Sequence, residues 1–185
     1  MERRCHMSKP EFREKVNLRD GTEVLLRPIE PTDAERLQGL FNRLSAESIY
    51  LRFLEPLKEL TLKAAQRYAT VDYHGNMAIV AALPEDAELI GVARYGQSSP
   101  PEPGVVDAAV VVADAFQGRG LGTILLLRLV EYARTQDIKA MHATVHQSNA
   151  QIMRFITKSG LPTERKLADG VWDIRVSLGE INLPE

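Results

Sequence analysis

Apolar positions recur along this chain with two periods, and the switches between them outline its elements. Behind the turn residue Gly21, residues 22–29 are β-rich and predict a first strand. Pro31-Thr32-Asp33, followed by Ala34, Leu37, Leu40, Phe41 and Leu44, predicts a capped amphipathic helix. A short second helix is expected from Ser45. Thr61, with Leu62, Ala65, Tyr68 and Ala69 behind it, predicts another capped helix ending near Val71, so that 31–71 forms a helical arm. Residues 77–83 and 89–95 are β-rich runs separated by Pro84-Glu85-Asp86, the punctuation of a hairpin. A Pro-rich loop, 98–104, leads to a strand over 105–112. Leu121, Leu125 and Leu129 recur every four residues while Arg128, Glu131 and Arg134 face elsewhere, which predicts a half-buried helix.

A strand over 141–145 follows, then a helix capped by Asn149 that stops at Gly160 with Pro162 beyond. Residues 163–167 and 171–178 predict an antiparallel pair around Ala168-Asp169-Gly170. Residues 1–20 are highly charged and show no period, and are expected to be a flexible leader before one domain over 21–180. Strands interleaved with helices in this order predict an α/β (α+β) fold with one sheet flanked by helices.

At 185 residues the chain can bury one full core, and a second domain is not expected. With 44% hydrophobic and 26% charged residues and a net charge of -2, nothing demands a nucleic-acid partner, since basic residues are dispersed among acids. Cys5 is the single cysteine, so an intramolecular disulfide is impossible and a reducing cytoplasm is the expected setting. No apolar run, 124–127 included, approaches the roughly 18 residues of a membrane-spanning helix. His142 and His146 stand four apart, but one falls in a strand and no third ligand accompanies them, so no metal is expected.

The chemistry concentrates where the 105–112 strand meets a glycine-rich turn that opens into the 121 helix. Glycines at 118, 120 and 122 let a ligand approach the backbone, and the helix start directs unpaired N–H groups and its positive dipole end outward. Arg119 adds a positive charge. The turn lacks the Gly-Lys-Ser/Thr ending of a P-loop, and its G-x-G-x-G spacing after most of the strands does not fit a dinucleotide-binding fold. Gln117-Gly118-Arg119-Gly120-Leu121-Gly122 fits Gln/Arg-x-x-Gly-x-Gly/Ala and resembles the acetyl-CoA loop of the GCN5-related N-acetyltransferases (GNAT). The element order over about 20–178 also resembles that family. Residues 44–54, with 111–122, resemble the acetyltransferase domain of bacterial Pat-type protein lysine acetyltransferases, although Arg52 there is also readable as a snorkelling residue on a buried helix.

The resemblance implies a GNAT fold: a mixed, mostly antiparallel sheet, splayed between its fourth and fifth strands, here 105–112 and 141–145. It implies acetyl-CoA as co-substrate, gripped by Gln117, Gly118, Arg119, Gly120, Leu121, Gly122 and Thr123, with Asn149 near the pantetheine arm and the backbone of Val110, Val111 and Val112 pairing with that arm like an extra strand. Pat-type enzymes carry a glutamate early in the fourth strand. Asp107 occupies that position, one methylene shorter, and is the candidate base; it shares a strand face with Ala109 and Val111, and apolar neighbours there would raise its pKa. A backbone N–H near Val112 is the candidate oxyanion donor. Where many relatives place a general-acid tyrosine this chain has Ile156, so Tyr50 or Tyr95 would serve, or the thiolate leaves unprotonated. The resulting expectation is an acetyl-CoA-dependent N-acetyltransferase acting on a primary amine, a protein lysine first and a small-molecule amine second. A non-catalytic acyl-CoA-binding sensor is the third reading.

Overall fold

In the computed structural model, which describes residues 9–84 and 88–179, the β-rich runs of the chain find their places in one eight-stranded sheet. The strands are β1 (Glu14–Asn17), β2 (Glu23–Pro28), β3 (Met77–Ala82), β4 (Leu89–Gln97), β5 (Val105–Val112), β6 (Ala140–His146), β7 (Thr163–Ala168) and β8 (Val171–Ser177). They lie in the order β1-β2-β3-β4-β5-β6-β8-β7. Only β5 and β6 run parallel, and the 15-residue helix between them supplies the crossover that a parallel pair requires.

The helices are α1 (Ala34–Asn42), α2 (Ala46–Phe53), α3 (Leu62–Ala69), α4 (Leu121–Thr135) and α5 (Ala150–Lys158). All six residues of β3 are buried because both sheet faces are covered. Met77, Ile79 and Ala81 pack with Leu121, Leu125 and Leu129 of α4 on one face. Ala78, Val80 and Ala82 pack with Leu37 and Leu40 of α1 and with Ala65 and Ala69 of α3 on the other. The four-residue leucine spacing of α4 thus becomes its core stripe, each fully buried leucine stabilising by about 1.5–3 kcal/mol. A third cluster joins α5 to β6 and β8 through Ile156, Val145 and Ile174, with Phe155 and Trp172 against it.

Ser45, Thr61 and Asn149 cap α2, α3 and α5, each side chain accepting from the backbone N–H three residues on. Asp33 departs from its expected role. Its carboxylate reaches back to the Glu30 N–H at 2.8 Å and to Arg27, and a 3-10 turn over Pro31–Asp33 leads into α1 without a side-chain cap.

The leader expected to be flexible is structured at its end. Glu14–Asn17 pairs antiparallel with β2, Leu18 is buried, and the Arg19 N–H donates to the Arg119 carbonyl at 3.1 Å. Phe12, Val16 and Leu18 supply the apolar alternation that packs on the α4 side of the core. Glu14, on the same alternation, pairs with Arg128 of α4, and that acid in the apolar register hides the period. Residues 1–8, which include Cys5, lie outside the described residues, as do 85–87 at the expected hairpin turn, although β3 and β4 pair as antiparallel neighbours.

Candidate active site

Parallel pairing of β5 with β6 lasts only from Val105↔Ala140 to Asp107↔His142, and beyond that point the strands part. The splay expected between 105–112 and 141–145 is therefore present. Peptide groups along a strand alternate sides, and two contacts fix the phase: Ala113 N–H donates to the Ile90 carbonyl of β4, while the Gly104 carbonyl accepts from Lys139 and Ala140 on the opposite side. Val112 and Val110 consequently turn their N–H and C=O groups into the gap. Val111 does not. It pairs with Val92, so its peptide is held by β4, and its side chain lines a cavity on the sheet face under α1 and α3. The gap opens into a cleft of about 780 Å³ including its solvent-open part, walled by β5, β6 and α5, with Asn149 and Ile156 on the α5 side.

At the open end of β5 the chain makes a 3-10 turn over Asp114–Phe116 and then enters α4 through the glycine turn. Gly118 and Gly120 have φ of +74° and +93°, left-handed values that cost an L-residue roughly 1–2 kcal/mol. No side chain caps α4, so the amides of Leu121, Gly122 and Thr123 are left to an incoming acceptor. Arg119 stands beside them, but its guanidinium donates to Asp20 at 2.6 Å and stacks 5.1 Å above Phe116.

Gln117 holds the turn from within: its Nε2 donates to the Val112 carbonyl at 3.1 Å and to Ser48 Oγ at 2.9 Å. Asp114 completes the latch, accepting from Ser45 N–H, Ser45 Oγ and Ser48 Oγ at 3.0, 2.6 and 2.9 Å. Burial pushes the Asp114 carboxyl up, but these donors outweigh it and hold it below the ordinary range. The latch ties α2 to the turn and was not read from sequence, because its partners lie 66–69 residues apart.

Asp107 does not sit among apolar neighbours. The β5–β6 register sets His142 beside it, and His142 Nδ1 lies 3.0 Å from Asp107 Oδ1 while Nε2 lies 2.9 Å from Asp173 Oδ1 of β8. The Asp107 side chain is 42% exposed, so the apolar setting expected of it is absent. A neutral imidazole has a single N–H, so bridging two carboxylates selects the imidazolium. Burial lowers the His142 pKa, and the bonds to Asp173 and Asp107 more than reverse that, leaving it raised.

Of the hydroxyls considered for the leaving thiolate, Tyr95 is buried and donates to the His74 carbonyl at 2.9 Å, and burial pushes its pKa up. Tyr50 packs edge-on against His146, which itself meets Ser148 Oγ at 2.7 Å. Thr144 and Ser159 also line the cleft, and Asn149 lines it while capping α5. Among the described residues no cluster of three or more His, Cys, Asp or Glu side chains could hold a metal, and no helix is long and apolar enough to cross a membrane.

Comparison with known proteins follows the same lines. The profile of the acetyltransferase (GNAT) family matches residues 42–161. An acetyltransferase of Pseudomonas aeruginosa is 36% identical over 135 residues, 72% of either chain. The L-methionine sulfoximine/L-methionine sulfone acetyltransferase of Pseudomonas paraeruginosa is 35% identical over 96 residues, covering 50% of this chain and 56% of that protein. Among solved structures, the GNAT domain of S. lividans PAT superposes with a TM-score of 0.80 at 30% identity, covering 89% of this chain and 96% of that one.

Proposed function

The chain belongs to the acetyltransferase (GNAT) family, and we propose that it moves an acetyl group from acetyl-CoA to a primary amine presented at Asp107, the amine attacking the thioester directly. The observation that carries this reading is the juxtaposition of three features along β5 and the turn into α4: an uncapped helix start behind left-handed glycines, peptide groups of Val110 and Val112 turned into a splayed gap, and a carboxylate where that gap begins. The residues fit the cofactor. The first-turn amides of α4 suit a pyrophosphate, and the cleft has the mostly apolar walls of a small-molecule site. When bound, acetyl-CoA supplies a thioester carbonyl open to attack and a thiol leaving group.

This chain's own groups divide the remaining work. An alkyl ammonium of pKa about 10.4 must lose a proton before it can attack. Asp107 is placed to accept it: Oδ1 is engaged by His142, and Oδ2 has no protein partner among the described residues. Val112, with its N–H facing the gap, is the donor suited to a developing oxyanion. Gly118, Gly120, Leu121, Gly122 and Thr123 bind and orient the phosphates; Gln117 keeps the turn in shape, and Asn149 fixes the far wall. Arg119, shared with Asp20, contributes positive field at the turn rather than an independent contact.

Protein lysine is the first acceptor to test, given the likeness to Pat-type domains, and a small amine is the second, given the relative named for L-methionine sulfoximine. Incubation with radiolabelled acetyl-CoA and a fractionated cell lysate decides between them. Label in protein bands supports lysine, and label confined to the small-molecule fraction moves the acceptor there. Asp107→Asn is expected to lower turnover tenfold or more with acetyl-CoA affinity unchanged. Unchanged turnover removes Asp107 from the mechanism, and no label in either fraction overturns acetyl transfer in favour of an acyl-CoA sensor.

A further inference from the structure

Two arginines face the acceptor side of the sheet without a carboxylate. Arg94 of β4 pairs in register with Ala109, which puts it on the sheet face of Asp107, about 7 Å along the strand direction from that residue's row. Arg52, near the end of α2, lines both the cleft between β5 and β6 and the neighbouring cavity, about 440 Å³ including its solvent-open part, that Arg94, Tyr68 and Val111 also line. Six other arginines, 27, 36, 43, 119, 128 and 175, each lie within 4 Å of an acidic side chain. Among the described residues Arg52 and Arg94 have no such partner, nor do Arg19, Arg67, Arg134, Arg154 and Arg165, but only Arg52 and Arg94 of these line a cavity. Each guanidinium instead lies 4.6 Å over an aromatic ring, Arg52 on Phe53 and Arg94 on Tyr68, and Arg94 adds one long bond of 3.4 Å to the Tyr68 carbonyl.

Like charges partly withdrawn from water around one cavity are costly, and burial together with Arg52 lowers the Arg94 pKa to about 10. Burial lowers that of Arg52 as well. Such an arrangement persists where a bound anion repays it. A ring beneath each plane holds the guanidinium and leaves its N–H edge for the planar, two-toothed bond that arginine makes with carboxylates. We propose that Arg52 and Arg94 form a carboxylate-binding subsite of the acceptor pocket, so that the amine to be acetylated carries a carboxylate near its nitrogen. That carboxylate is either the α-carboxylate of a free amino acid or an acidic side chain beside a lysine on a protein, and the inference rests on the amine-acetylation reading above.

The test measures thiol release with the twenty L-amino acids, with their carboxamides, and with lysine peptides carrying Glu or Gln next to the lysine, on wild type, Arg94→Gln, Arg52→Gln and Arg94→Lys. Wild type should prefer a carboxylated acceptor over its neutral counterpart at least tenfold in kcat/KM. The two Gln variants should lose that preference while the KM for acetyl-CoA stays within twofold, and Arg94→Lys should recover part of it. A preference among free amino acids assigns the small acceptor, and one confined to peptides assigns the protein. Equal rates for carboxylated and neutral acceptors overturn the subsite. Thermal shifts with the same compounds in the presence of coenzyme A give a readout independent of turnover. If no acceptor releases thiol but carboxylates alone stabilise wild type and not Arg94→Gln, the transfer reading falls and the subsite stands; if neither turnover nor stabilisation distinguishes carboxylates, the subsite falls.

Discussion

His142 carries an acid against each ring nitrogen, and that geometry makes its charge depend on pH in a definite direction. Asp173 and Asp107 raise its pKa against the opposing effect of burial. A raised folded pKa means that the stabilisation is complete below the unfolded value of about 6.5 and is lost as pH rises through the folded value. His142→Gln should therefore lower the urea midpoint more at pH 5.5 than at pH 8.5; a pH-independent loss would show that the imidazole acts by packing alone. The same residue shows why Asp107 was readable as a candidate while its surroundings were not. Counting back from the glycine turn finds the carboxylate, but its neighbour comes from β6, 35 residues away, and only the parallel register brings it in.

At the scale of elements, the glycine turn and the start of α4 carry two separable requirements. Gly118 and Gly120 are set by backbone conformation, since an added Cβ at Gly118 meets nothing within 4 Å yet its φ is +74°. Gly122 is different. It lies in the first turn of α4 without a positive φ, and a Cβ there would meet Val112 Cγ2 at 3.8 Å, an ordinary contact. Alanine is the better helix former by up to about 1 kcal/mol, so Gly122→Ala should keep or raise the melting temperature. If a phosphate approaches that backbone, the same substitution should raise the KM for acetyl-CoA at least fivefold, measured by thiol release at saturating amine. An unchanged KM would place the phosphates elsewhere on the turn. The glycine spacing was legible because it depends on local conformation; the Ser45, Ser48 and Asp114 latch was not, because neither partner has a local signature beyond a helix cap.

For the whole molecule, the joint between sheet and helical arm is the buried pair of Arg27 on β2 and Asp33 before α1, bonded at 2.7 and 2.8 Å and exposed by 2% and 1%. Burial pushes the Asp33 carboxyl up, but Arg27 and the Glu30 amide prevail and hold it below its ordinary range. A lowered folded pKa contributes stability above the unfolded value near 3.9 and loses it as pH falls through the folded value. Asp33→Asn should cost about 3–5 kcal/mol by urea unfolding at pH 7, since it strands a buried guanidinium, and the gap to wild type should close in acid. A loss below 1 kcal/mol would show that other partners of Arg27 suffice. The sequence by itself determined the order and type of nearly every element and the glycine turn, because apolar period, capping and left-handed glycines are set by residues within a few positions of one another; Asp107 came in as a candidate only through the resemblance to Pat-type domains. The edge strand β1, the partners of Asp107 and the cavity shared by Arg52 and Arg94 were decided only by the tertiary structure, because each depends on which distant strand or helix lies alongside, and a charge shows whether it has a partner only when the chain has folded around it.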